Sequence, residues 1–166
     1  GLGFMFIEIP FVQEGAVYLE SPIYGLAVSL FGLLLFGGIG SIWSSDSKKI
    51  LPICLCLTTL FAVMLPYAFH CLMEYTFGYT WVEKLMLFMV LLCPIALCMG
   101  IALPSGIRIA RTKYTQAIPW FWALNGAASV LGSIIAMAVS VSFGYSSIIS
   151  LGAIAYFFAF LIYPKS

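Results

Sequence analysis

Five long apolar runs, each ended by a short polar loop, constrain this chain more than any other feature. A helix needs about 20 apolar residues to cross about 30 Å of hydrocarbon. The runs Pro22 to Trp43, Ile50 to Met73, Glu83 to Leu103, Ile118 to Ser142 and Tyr145 to Tyr163 meet that length. Charged residues form 8% of the chain, where a soluble domain carries about 25%. A membrane β-barrel does not fit. Its strands alternate apolar and polar with period two, whereas a run such as Leu85 to Leu92 is apolar on every side.

The expected fold is therefore all-α: a polytopic transmembrane helical bundle, one domain over residues 1–166. It has five complete spans plus an N-terminal partial span. Residues 1–20 are the partial first helix. Gly1 to Val12 is apolar except for Glu8 and too short to cross. It has neither an initiator Met nor a basic flank, so it does not read as a signal peptide. It reads as the second half of a spanning helix, and the chain as a fragment of a longer protein.

Loop charges give an orientation. Lys48, Lys49, Arg108, Arg111, Lys113 and Lys165 fall on one side when the loops alternate across the membrane, and Lys84 falls on the other. Glu14, Glu20, Glu74 and Glu83 lie opposite the basic side, and Asp46 lies with it. Positive residues mark the cytoplasmic face. The C-terminus is thus expected in the cytoplasm, and the first segment runs from inside to outside. The expected location is an integral membrane one, in a bacterial inner membrane. Tyr24, Trp43, Tyr75, Tyr79, Trp81, Trp120, Trp122 and Tyr163 near the span ends form the aromatic belt of such a protein.

A net charge of +1 argues against nucleic acid, which is bound through many phosphate contacts. The expected partners are the lipid bilayer and other membrane protein subunits. The five cysteines, Cys54, Cys56, Cys71, Cys93 and Cys98, read as small core residues. Pro22, Pro52 and Pro119 read as first-turn prolines. Pro66 and Pro94 lie inside helices and are expected to kink them.

Lipid gives one helix no hydrophobic reason to bind another, so close backbone approach decides packing. Gly25, Ser29, Gly32 and Gly40 share one stripe of the first complete span. Ala128, Gly132, Ala136 and Ser140 recur every four residues on the fourth, beside Asn125, Ser129 and Ser133. These two helices are expected to make the tightest contacts of the bundle.

Three polar groups stand out as candidate sites. Glu8 is costly in hydrocarbon unless paired or protonated, and counting residues puts it about 18 Å below the outer surface. Asn125, the only Asn, lies about 10 Å inside the other end of its span. Their similar depth predicts a Glu8–Asn125 clasp, with Gln13 nearby and Trp120 or Trp122 as a second donor. The same carboxylate would serve a proton- or cation-coupled path. His70, the only His, could supply one axial ligand to a haem or chlorophyll; no cofactor and no metal is otherwise implied.

Two stretches carry a resemblance. One is Gly1-Leu2-Gly3-Phe4-Met5-Phe6-Ile7-Glu8-Ile9, followed by Gln13. The other runs from Pro119-Trp120-Phe121-Trp122 through Asn125-Gly126 to Gly132-Ser133, preceded by Met99-Gly100 and Pro104-Ser105-Gly106-Ile107-Arg108. In this order the chain resembles, over nearly its whole length, the transmembrane region of the spermidine-synthase-like ("fused" aminopropyltransferase) membrane proteins. Where that family follows the Gln with a basic residue, this chain has Glu14. The resemblance implies a membrane helical bundle. The soluble Rossmann-like catalytic half of that family has no counterpart: no glycine-rich strand-to-helix turn occurs, and the only Asp is Asp46. No catalytic residue is carried over, and the chain is not expected to be an enzyme. The expected function is a non-catalytic membrane subunit or anchor in a larger assembly. The alternative is a transporter domain for a small polar solute or cation, a polyamine in view of the resemblance.

Overall fold

The structure, a computed structural model, describes residues 1–113 and 115–163; the side chains of 45–49, 112, 113 and 115 are outside that description. Among the described residues there are six α-helices and no strand. They are α1 (Leu2–Tyr18), α2 (Pro22–Ile42), α3 (Ser47–Tyr75), α4 (Trp81–Lys113), α5 (Ile118–Phe143) and α6 (Tyr145–Ile162). A 3-10 turn over Trp43–Asp46 joins α2 to α3, and another over Thr115–Ala117 precedes α5. Helices α2 to α6 each hold a stretch long and apolar enough to cross a membrane. The expected fold class and its five complete spans are present, and this is an integral membrane protein.

Helix α1 is the centre of the bundle. It touches each of the other five helices, and Phe6, Ile7, Pro10, Phe11, Glu14, Gly15 and Tyr18 are buried along it. The ring of Phe11 meets Phe69 of α3 and Phe88 of α4 edge-on, at centroid distances of 5.2 and 5.8 Å.

Neighbouring contacts fix the directions of α2, α4, α5 and α6 relative to α1. Gly15 faces Gly25 while the Ser29 hydroxyl donates to the Phe11 carbonyl at 3.0 Å, so α2 runs against α1. Gly3 faces Tyr156 and Ile7 faces Gly152, so α6 also runs against α1. Gly132 faces Leu2 and Met5, and Gln13 meets Ser140, so α5 runs with α1. Gly32 faces Leu92 and Gly37 faces Gly100, so α2 and α4 run together.

One end of the bundle therefore gathers Glu20, Tyr24, Thr76, Trp81 and Lys84, and the other gathers Trp43, Arg108 and Arg111. The side chains of Asp46, Lys48, Lys49 and Lys113, and all of Lys165, lie outside the described residues.

Two sequence expectations change. The stretch Pro104 to Ala117 is not a loop, because α4 continues helically to Lys113. Pro104 removes one amide donor but leaves the chain on its helical path, as membrane helices tolerate when neighbours stabilise the freed carbonyl. Pro52 sits inside α3 rather than in its first turn, because that helix starts at Ser47. The joint between α5 and α6 is the single residue Gly144, whose φ of 83° places it in the left-handed region that glycine adopts without strain.

The tight interface is also not the expected pair. Helix α2 packs closely as predicted, with Gly25, Ser29, Gly32 and Gly40 all buried. Its closest partner is α4, through Gly37, Gly40 and Gly100. On α5 only Gly132 and Ala136 are buried. Its small-residue face does look inward: Ala128 and Ser129 lie against Gly1, and Gly132 against Leu2 and Met5. The rest of α5 points outward, and α2 and α5 do not touch. Among the cysteines, Cys54 and Cys98 are buried together between α3 and α4, but Cys56 and Cys71 are exposed.

Candidate functional site

Four places among the described residues bear on the candidate polar groups. The first is the α1–α5 seam. Ser140 donates its hydroxyl to Gln13 Oε1 at 2.5 Å, and Gln13 Nε2 points at Met137 Sδ at 3.6 Å. Both ends of one amide are thus occupied by α5. Gln13 was a candidate from sequence, but its partner Ser140 was known only as a member of the small-residue stripe.

The second place is Glu8, which the structure does not bring to Asn125. Gly1 is the residue packed against Asn125, and Glu8 lies seven residues later, about 10 Å along the helix axis. Leu2, Met5 and Gln13 face α5. Glu8 shares a stripe with Val12, Gly15 and Leu19, of which Gly15 faces α2. Glu8 Oε2 is buried without a hydrogen-bond partner. Trp120 and Trp122 are exposed at 70% and 56% and offer it no donor. The expected clasp fails because counting residues from the segment ends misjudged the relative depth: Gly1, and not Glu8, is level with Asn125.

The third place is a cavity of about 570 Å³ between α1, α3, α4, α5 and α6 at the arginine-bearing end. Its walls are mainly apolar, Phe4, Leu55 and Met99 among them, and also carry Asn125, Ser129 and Tyr156. Ser129 is spoken for, since it donates to the Asn125 carbonyl at 2.9 Å. The Asn125 side-chain amide has no hydrogen bond among the described residues.

The fourth place is the opposite end. Lys84 Nζ reaches Glu20 Oε1 at 2.6 Å and lies 6.0 Å from the centre of the Tyr18 ring. Lys84, through hydrogen bond and charge, holds the Glu20 carboxyl below its ordinary range. Tyr18 and Thr76 hydroxyls lie 2.9 Å apart. Because the Thr76 proton goes to the Leu72 carbonyl at 2.6 Å, Tyr18 is the donor of this pair. Tyr24 packs on Trp81 at 5.1 Å. These contacts tie the α1–α2 turn to the start of α4. Sequence reading placed Lys84 as the lone cation on its side without naming Glu20 as its partner.

His70 stands outside this clasp, with its side chain 74% exposed and Nδ1 3.5 Å from Glu74 Oε2. An i,i+4 carboxylate is the neighbour the structure gives it. Among the described residues no group of three or more His, Cys, Asp or Glu side chains is arranged to hold a metal ion.

Comparison of the chain with known protein families, with curated proteins and with solved structures returns no match.

Proposed function

We propose that this chain is a non-catalytic membrane subunit or anchor that packs within a larger membrane assembly. The observation that carries the proposal is α5. Only 11% of its most apolar stretch is buried, against 39% in α4. The outward face is not all bulky: Ala123, Gly126 and Ala127 lie exposed on it, and a Cβ on Gly126 would meet nothing within 4 Å. Small residues on an outward face let another helix approach closely. The polar groups inside the bundle fit a holding role, since Gln13, Ser29, Tyr18 and Ser140 all make helix-to-helix hydrogen bonds.

The resemblance to the spermidine-synthase-like membrane region belongs to this proposal. Its two main stretches, Gly1 to Ile9 and Pro119 to Ser133, lie on α1 and α5 and pack on each other. A bacterial inner membrane with the arginine-bearing end in the cytoplasm is the location that goes with it.

The test is native electrophoresis of the chain extracted from its own membranes, with Gly126→Leu beside the parent. Loss of a larger assembly in Gly126→Leu, at unchanged melting temperature, supports the subunit role. A chain that migrates as a monomer in both forms ends it. A second reading, passage of a small polar solute or cation, is favoured by the cavity beside Asn125. Uptake of a polyamine into vesicles containing only this chain would favour that reading.

A further inference from the structure

The cavity beside Asn125 does not stop at the bundle interior. It continues into a second space of about 290 Å³ between α4 and α5, and the two share Ala102, Leu103, Gly106 and Asn125. Helices α4 and α5 touch only sparsely, so this groove lies between two helices that are splayed apart. Together the spaces fall within the roughly 300–1,000 Å³ typical of ligand sites.

The groove is apolar along its length and polar at two levels. Asn125 lines both spaces, and its side-chain amide makes no hydrogen bond among the described residues. A hydrogen bond from this amide to a guest is favourable at a depth where water is scarce. Farther out, Ile107 and Ala110 lead to Arg111 on the same stretch of α4. Arg111 follows Gly106 by about 7 Å along the axis. Arg111 has an interaction of its own and contributes positive charge there, with exposed Arg108 one turn before it.

An apolar slot, then an amide, then a cation is the polarity order of a glycerophospholipid entering tail first: acyl chain, ester carbonyl, phosphate. We propose that the α4–α5 groove holds one anionic phospholipid from the leaflet on the arginine-bearing side. Its acyl chain lies against Leu103 and Gly106, an ester carbonyl accepts from the Asn125 amide, and its phosphate lies towards Arg111. Basic pockets between membrane helices hold anionic head groups on this principle. The site is independent of the subunit role, whose surface is the opposite, Gly126-bearing face of α5.

The experiment is native mass spectrometry of the purified full chain in detergent, supplied with equal amounts of phosphatidylglycerol and phosphatidylcholine. The expected result is one retained phospholipid per chain, with phosphatidylglycerol about fivefold preferred, the factor one nearby cation supplies. Gly106→Leu fills the groove and should abolish retention. A Cβ at Gly106 meets nothing within 4 Å, so circular dichroism and melting should match the parent. Arg111→Gln should keep the lipid and lose the preference. Equal retention of the two lipids by the parent, unchanged retention in Gly106→Leu, or a dimer of chains in place of a lipid adduct would each overturn the proposal.

Discussion

The carbonyl oxygen of Gly37 occupies the space that a Cβ on Gly100 would need. The same holds one turn on, where the Leu97 carbonyl sits where a Cβ on Gly40 would be. At these two points the backbones of α2 and α4 touch with no side chain between them. Contacts of a Cα hydrogen with a carbonyl oxygen recur at such helix interfaces. Gly100→Ala and Gly40→Ala should each lower stability by about 1–3 kcal/mol, the usual cost of forcing atoms into a filled space. Gly38→Ala is the control, because nothing lies within 4 Å of its Cβ. It should be neutral or stabilising by up to about 1 kcal/mol through helix propensity. Thermal unfolding in detergent reads all three, and equal melting temperatures would mean that the interface is looser than described.

A double-mutant cycle on Gln13→Leu and Ser140→Ala should return a coupling of about 0.6 kcal/mol, the average for hydrogen bonds between membrane helices. The matching cycle on Glu8→Leu and Asn125→Leu should be additive to within about 0.5 kcal/mol, as for sites that share no partner. Coupling in the second cycle that exceeds the first would restore the Glu8–Asn125 pair and displace the register described here.

The Glu20–Lys84 pair should respond to acid. Lys84 lowers the Glu20 carboxyl from its ordinary value of 4.5. A lowered folded-state value stabilises the fold at pH above the unfolded value, and this contribution is lost as pH falls through the folded one. The melting-temperature advantage of the parent over Lys84→Met should therefore be constant near about pH 6 and shrink from about pH 4.5 downward. The Glu20 side chain is 76% exposed, so the effect is small and weakens with salt. An advantage that persists unchanged to about pH 3 would assign it to the packing of the Lys84 stem on Tyr18.

Orientation is open to direct labelling. Gly78→Cys lies in the turn between α3 and α4 and Gln116→Cys in the turn before α5, and both positions are exposed. In a background with Cys56 and Cys71 replaced by Ser, an impermeant maleimide should reach Gly78→Cys on intact cells. It should reach Gln116→Cys only after the membrane is opened. The reverse pattern would put Arg108 and Arg111 on the outer surface.

The sequence determined what depends on runs and spacing. Twenty-odd apolar residues between polar turns made α2 to α6 visible, because crossing hydrocarbon is a length requirement. The inward stripe Gly25, Ser29, Gly32 was legible for the same reason: helical period alone puts those residues on one face. Gln13 was picked out as a polar residue in an apolar segment, and it is one half of the α1–α5 hydrogen bond.

The tertiary structure decided what depends on how far one helix is shifted along another and on neighbour identity. Glu8 and Asn125 looked like partners by depth, but α1 and α5 pack with Gly1 against Asn125, which leaves Glu8 about 10 Å farther along the axis. Gly100 gave no periodic signal on its own, since its role exists only beside Gly37 on another helix. Pro104 resembled a helix end, yet α4 passes through it to Lys113. The short α1, the least span-like of the six, proved to be the helix every other one touches. An apolar surface is equally content against lipid or against protein, so composition marks which segments leave water and packing alone selects which of them becomes the core.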